Sequence, residues 1–224
     1  MFTFRRLRTG DFHLIIDMQQ QIYESLHDKD TFQLSTAEFI SYCLDGGGFI
    51  YSAHHADSIV GYRIIYLPRE RDFNLSRDIP LPRPEQLKVA HFDTVAVLPQ
   101  WRGFGLSRSL SDLALSGLAS TDVRHLFATT SPRNPYSLIQ LIAAGFRPVR
   151  LGVKFGGKTR ILCYRPYPEM WLAADSDLDA RLVPLTATED LVAAFRAGWV
   201  GFGVMTGNTG YQLEMRYQPA PFDR

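Results

Sequence analysis

Six residues, Gln100-Trp101-Arg102-Gly103-Phe104-Gly105, constrain this chain more than any others. They join a β-like run, Val89 to Leu98, to a run with helical spacing, Leu106 to Leu118. A strand, a glycine turn and a helix start, in that order, make an anion cradle. Glycines let the backbone approach a ligand closely, and the first N–H groups of a helix have no partner within it and carry the positive end of its dipole.

The pattern around this segment predicts a run of alternating elements. Phe2 to Leu7 reads as a short strand, Thr9-Gly10-Asp11 as a turn, and Phe12, Ile15, Ile16, Gln19 and Ile22 fall at helical spacing. Ser35 to Leu44 reads as a second helix, with Ser35 and Glu38 spaced as a capping box and Asp45-Gly46-Gly47-Gly48 as its stop. Phe49 to Ala53 and Ser58 to Leu67 form a strand pair around His54-His55-Ala56-Asp57, which reads as a plain turn; in a strand the two histidines would face opposite ways. The proline-rich connection 68–86 is either a solvated insertion or a flap over a substrate site. Arg124 to Thr130 is the next strand. Asn134 caps a helix that has Pro135 at its first position and Gly145 just past its end. Phe146 to Phe155 and Thr159 to Tyr164 pair around Gly156-Gly157-Lys158. The tail adds a strand at Arg181 to Leu185, a helix to Ala197 opened by Thr186 and Glu189, and a hairpin turning at Gly207-Asn208-Thr209-Gly210.

Composition narrows the class. Apolar residues make up 46% of the 224, enough for a sizeable core. Lys plus Arg is 24 against 23 for Asp plus Glu, so net charge is +1 and gives no electrostatic reason to expect nucleic acid or a membrane surface as partner. Cys43 and Cys163 have no metal-binding or disulfide-framework spacing, so no metal site follows from them and a reducing compartment fits. With no apolar stretch of signal or membrane-span length, the expectation is a cytoplasmic protein.

The element order up to Tyr164, β-α-α-β-β-loop-β-α-β-α-β-β, resembles that of the GNAT acetyltransferases. Two motifs carry the resemblance. The first is Val95-Ala96-Val97-Leu98-Pro99-Gln100-Trp101-Arg102-Gly103-Phe104-Gly105; the second is Asn134-Pro135-Tyr136-Ser137, with Leu141 and Gly145-Phe146 after it. The resemblance implies an α+β fold, with a central, mixed and mostly antiparallel twisted sheet flanked by helices. It covers residues 1–166 as an acyltransferase domain. The β-α-β-β extension, 167–224, is then expected to pack on the core or on a second copy, which would make a homodimer. It also implies acetyl-CoA, or another acyl-CoA, as co-substrate without a metal, and a small-molecule amine or amino acid as acceptor. Val95, Ala96 and Val97 would offer backbone groups to the pantetheine arm. The pyrophosphate would lie along Gln100, Trp101, Arg102, Gly103, Phe104, Gly105 and Leu106, with the N–H groups of Arg102 to Leu106 turned to it. Asn134 and Ser137 would contact the arm, and Arg102 and Arg108 could add charge.

Acyl transfer needs a neutral amine, hence a base. His91 and Asp93 lie two apart on one strand face just before the loop. His91 has the ordinary pKa for the task, with Asp93 in support; Asp93 acting through water accounts for the residues almost as well. Many members of the family carry a Tyr seven residues after the Asn as acid for the departing thiolate; here that residue is Leu141. Tyr136 or another group substitutes, or the thiolate leaves unaided. The alternative is an acyl-CoA-binding sensor or scaffold domain without catalysis. Gly156-Gly157-Lys158-Thr159 lacks the context of a nucleotide loop, and Trp171, Trp199 and Tyr211 read as packing aromatics or as lining for an acceptor pocket.

Overall fold

A computed structural model describes residues 1–169, 171, 180–208 and 210–218. Thr209 of the expected hairpin turn, and tail residues 170, 172–179 and 219–224, lie outside the described residues. In chain order the elements are β1 (Phe2–Arg6), α1 (Phe12–Ser25), α2 (Ala37–Tyr42), β2 (Gly48–His55), β3 (Ser58–Tyr66), α3 (Arg83–Gln86), β4 (Val89–Val97), α4 (Leu106–Leu118), β5 (His125–Thr130), α5 (Pro135–Ala143), β6 (Arg147–Lys154), β7 (Lys158–Pro166), β8 (Ala180–Pro184), α6 (Thr188–Arg196), β9 (Trp199–Gly207) and β10 (Gly210–Tyr217). The fold is α+β. The chain divides into two compact units, one of residues 1–74 and 87–123, the other of 75–86 and 124–224.

In the first unit, strands β1-β2-β3-β4 pair in that order, each antiparallel to the next. Alternation gives the sheet two apolar faces, and helices cover both. On one, Ile15, Met18 and Ile22 of α1 and Ile40 of α2 pack on Ile50, Tyr62, Ile64, Tyr66 and Ala96. On the other, Leu106 and Leu110 of α4 pack on Ala53 and Val60. Leu106, Leu110, Ala114 and Leu118 recur every fourth residue and are all buried, so one stripe of α4 seals that face. Truncating Leu110, which is wholly enclosed, to alanine would cost about 2–5 kcal/mol.

Two local details differ from the sequence reading. Thr36 caps α2, its hydroxyl accepting from the Phe39 N–H at 3.2 Å, because the Ser35 backbone is held elsewhere. The buried Gln19 of α1 accepts from the Ser35 N–H and donates to the Ser35 carbonyl, both at 3.0 Å. Strand β2 also continues through His54 and His55, which take opposite faces as a strand requires. His54 Nε2 lies 2.8 Å from Ser52 Oγ, and the His55 ring lies on Trp101 with centroids 4.5 Å apart. Among the described residues no group of three His, Cys, Asp or Glu could hold a metal ion.

In the second unit β5-β7-β6 pair antiparallel, with α5 joining β5 to β6. The tail forms its own antiparallel sheet, β8-β10-β9. It packs on the same unit: α6 and β9 lie against β6, and α5 against β9. The Arg147 guanidinium sits 4.8 Å over the Phe202 ring, and a Cβ at Gly201 would come within 2.8 Å of Pro148. Segment 75–86 is strapped to this unit by Arg150, which donates to the Asp78 carbonyl at 2.7 Å, and by an ion pair of Lys154 with Asp78. Thr186 makes no cap; α6 starts at Thr188 without a side-chain hydrogen bond to its cap position. No described helix is long and apolar enough to cross a membrane.

Candidate active site

Strand β4 ends at Val97, and Pro99–Trp101 form a single tight turn before the glycines. That turn uses two N–H groups: Trp101 donates to the Leu98 carbonyl at 2.9 Å and Arg102 to the Pro99 carbonyl at 3.2 Å. The Arg102 side chain folds back, its Nε donating to the Val97 carbonyl at 3.2 Å. The open run therefore starts one residue later than the sequence suggests. From Gly103 through Arg108 no backbone N–H has a protein acceptor among the described residues, and the first donor inside the helix is Ser109, to the Gly105 carbonyl at 3.0 Å. Gly103 and Gly105 take φ of +85° and +74°, the left-handed region that any Cβ disfavours. Gly105 is the cap position of α4 and offers no side chain to close it. Six N–H groups at an uncapped helix start suit an anion with several oxygens. Phe104 stands exposed beside them, its ring 5.7 Å from Phe2, which also meets Trp101 edge-on at 5.6 Å.

Upstream, the β3–β4 register slips. Arg63 pairs with Val95 and Ile65 with Phe92, so Asp93 and Thr94 together stand opposite Ile64. This bulge turns β4 backbone out of its ladder beside Asp93. His91 is fully enclosed; its ring meets Tyr66 and Phe73 edge-on, each at 5.2 Å. Phe39 and Tyr42 of α2 reach the same Tyr66 ring, at 4.9 and 5.7 Å. Asp93 is half-buried. Protein crowds its carboxyl, and desolvation raises it to about 6; hydrogen bonds from Thr94, the hydroxyl at 3.0 Å, and the charge of Arg63 pull the other way. The neighbouring Cys43 thiol and Tyr62 hydroxyl are pushed up by burial and then by the Asp93 charge, so both stay protonated near neutrality. Val95 and Val97 are half-buried, and Ala96 lies in the core beneath α1.

The second motif lies in the other unit. Asn134 caps α5, its Oδ1 accepting from the Ser137 N–H at 3.1 Å, with Pro135 following. Leu141 is buried on the inner face of α5. Tyr136 is 70% exposed, and its hydroxyl shares a hydrogen bond of 3.2 Å with that of Tyr211 on β10. That bond is the main reason the Tyr211 phenol is raised. In the same unit, His125 bridges Glu85 and Tyr164: Nε2 lies 3.0 Å from the carboxylate and Nδ1 3.1 Å from the hydroxyl.

One buried group escaped the sequence reading. Arg63 is 3% exposed, yet it was passed over inside the apolar run of β3. Its signal was there, as the one charged residue in Ser58–Tyr66. The aromatic enclosure of His91 left no comparable trace, because Tyr66 and Phe73 come from separate segments.

Comparison with solved structures places this arrangement. The protein NAA60 of Arabidopsis thaliana, solved in complex with acetyl-CoA, superposes with a TM-score of 0.57 at 15% identity, over 75% of this chain and 100% of that one. The ribosomal-protein-S18-alanine N-acetyltransferase of Escherichia coli gives 0.57 at 16%, over 80% and 99%. The protein yncA of Salmonella typhimurium, solved with its cofactor acetyl-CoA, gives 0.57 at 16%, over 79% and 99%. At such identities the likeness establishes the fold. No curated protein sequence matches the chain. The sequence model of the acetyltransferase (GNAT) family, however, matches residues 12–146, more than half of the chain and both motifs within it. The chain therefore belongs to the acetyltransferase (GNAT) family.

Proposed function

We propose that the protein transfers an acetyl or related acyl group from acyl-CoA to the amine of a small molecule or amino acid. One observation carries this reading: a single segment, β4 through the start of α4, joins an open row of N–H groups to a half-buried carboxyl raised to about 6. The row from Gly103 to Arg108 fits a pyrophosphate, and two structures of the same fold were solved with acetyl-CoA. Val95 and Val97 would hold the pantetheine arm by backbone groups.

Bound acyl-CoA supplies a thioester carbon open to attack by an amine. Asp93 takes the proton that the amine must lose, directly or through one water. A carboxylate near 6 is largely ionised at neutral pH yet basic enough to accept it. Between the two β4 candidates, exposure favours Asp93 as base; His91 lies behind Tyr66 and Phe73 and would support it from the same strand face. Backbone N–H groups freed by the β4 bulge would stabilise the developing oxyanion. The departing thiolate needs little help from an acid, because it is itself a weak base.

The test is thioester consumption measured with a panel of small amines, alongside calorimetric binding of acetyl-CoA. Binding with turnover of at least one amine supports the reading; absence of binding would overturn it. The buried Leu141 in place of a phenol favours a second reading, a domain that binds acyl-CoA as sensor or scaffold. Tight binding with no turnover of any amine selects that one.

A further inference from the structure

The sheet of the first unit has an open corner that the acyl-transfer reading does not use. It is a cavity of about 290 Å³ at the β2–β3 turn, lined by Thr3 and Arg5 of β1, Leu14 of α1, His54 of β2, Asp57 of the turn and Ile59 of β3. None of these residues belongs to β4 or to the cradle. Strand register explains the grouping: Thr3 pairs with His54 and His54 with Ile59, so the three form a row across the strands. The row lies on the α1 side of the sheet, while the alternate residues Phe2 and His55 turn to Trp101 on the α4 side.

The cavity is left with acceptors. Arg5 is forked onto Asp11, both nitrogens at 2.8 Å, so the pair is neutral as a unit. His54 is 9% exposed, and its Nε2 lies 2.8 Å from Ser52 Oγ. The Ser52 hydroxyl donates to the Arg5 carbonyl at 3.3 Å. A serine has one proton to give, so both contacts are hydrogen bonds only when Nε2 carries the imidazole proton and donates to Oγ. Burial first, then the Arg5 charge, holds His54 below its ordinary value against the pull of Asp11, so the ring is neutral at neutral pH. Nδ1 is then a bare lone pair. It has no partner among the described residues and opens to the cavity. The Thr3 hydroxyl and the Asp57 carboxylate have no side-chain partner among them either. With Arg5 neutralised by Asp11, the charge left on the lining is the negative one of Asp57.

We propose that this corner binds a small primary ammonium compound with a short apolar body: its N–H groups donate to His54 Nδ1 and to the Asp57 carboxylate, and its carbon chain lies on Leu14 and Ile59. Unpaired acceptors and one negative charge select a cationic donor over an anion. The imidazole lone pair selects a group that carries N–H over a quaternary ammonium. Among the described residues no third His, Cys, Asp or Glu joins His54 and Asp57 to hold a metal ion. The site shares no residue with the cradle or with β4, so it stands whether or not the acyl-transfer reading does.

The experiment is titration of the full chain with n-butylamine near neutral pH, without acyl-CoA, followed by long-range proton–nitrogen correlation of the histidine rings. His54→Phe assigns the His54 signals by their loss. The free protein should show a neutral His54 with its proton on Nε2. Butylamine should move the Nδ1 resonance upfield, as a lone pair does on accepting a hydrogen bond. The shift should saturate with a Kd on the order of 1 mM, in keeping with so few heavy atoms. Asp57→Asn, on an exposed turn where folding is not at stake, should weaken binding about tenfold or more. Butyltrimethylammonium and butyrate should leave the resonance in place, and Asp93→Asn should bind butylamine as the parent does. A His54 proton on Nδ1 in the free protein would overturn the proposal, as would an unmoved resonance or an equal shift with the quaternary amine or butyrate. So would an Asp57→Asn variant with the parent's Kd. Loss of binding in Asp93→Asn would move the amine to the acyl-transfer site and overturn it as well.

Discussion

The β4–α4 segment and the start of α5 handle their polar groups in opposite ways. Both are a strand, a turn and a helix. At α5 an Asn caps the helix, a Pro occupies the position whose N–H would be idle, and Tyr136 finds Tyr211. In the same unit His125 is bonded at both ring nitrogens. At β4–α4 six N–H groups stay open, a carboxyl is held partly dry, and the Arg63 guanidinium has no fork partner. Satisfied polar groups stabilise; open ones cost stability and are kept where a ligand will complete them. The contrast marks where chemistry is expected and where only folding is.

Substitutions in the two regions should then differ in kind. The largest effect is expected at Asp93: Asp93→Asn should lower turnover by about 10²-fold or more while acetyl-CoA still binds. In the parent, the rate should fall as pH drops through about 6, where the carboxylate takes up its proton. Steady-state kinetics across pH 5–9 would check both, and an active Asn variant would erase the contrast at its most informative residue.

Next, acetyl-CoA at about 100 times its Kd should raise stability by about 2.7 kcal/mol. Gly103→Asp and Gly105→Asp should each remove that gain, through a carboxylate facing the anion and a Cβ at positive φ. Thermal melts with and without ligand decide it; a folded variant with an intact ligand shift would sink the cradle.

The same Asp93→Asn should stabilise the folded protein at neutral pH. Its folded carboxyl sits near 6 against an ordinary value of 3.8, so the folded state prefers the proton. Stability from this group is present below the ordinary value and is lost as pH rises from about 4 to about 6. Above that window Asn should regain on the order of 2–3 kcal/mol, and below pH 4 nothing. Chemical denaturation at pH 4 and pH 8 would show it, and equal stabilities at both would break the link between open polar groups and cost.

At α5 the signs reverse. Asn134→Ala should cost about 1 kcal/mol of stability, and Asn134→Ser, which still caps, only a few tenths. Smallest of all, Tyr136→Phe should change stability by under about 0.5 kcal/mol and turnover by less than tenfold. A hundredfold loss in that variant would make α5 a catalytic region and dissolve the distinction.

Where each region was legible follows from how it stores information. Glycine, proline and Asn signals are local, so the loop, the α5 cap and the strand boundaries around them could be read within a residue or two. The pairing of His91 and Asp93 on one strand face followed from period two alone. Their division of exposure did not, because the rings against His91 come from β3 and segment 68–74, and α2 in turn packs on Tyr66. The start of the open N–H row was displaced by one residue because the Pro99 carbonyl claims Arg102, a contact that no side-chain pattern records. Arg63 was visible as a charge in an apolar run, but only the β4 register shows what it stands beside.

The clamp of Gln19 on Ser35 has a consequence for how this fold tolerates change. Gln19 reads the main chain at position 35, its N–H and its carbonyl, and makes no use of the serine hydroxyl in doing so. Any residue with an N–H can therefore stand at 35 while the α1–α2 connection keeps its path; proline alone lacks the donor. The specificity of that connection is written at position 19, sixteen residues away, where an amide long enough to donate and accept at once is required. Drift during evolution, or a library built on this scaffold, should accordingly scatter freely at 35 and be narrow at 19. A saturation screen scored for folding would find a connecting loop whose tolerance is set by a helix it merely touches.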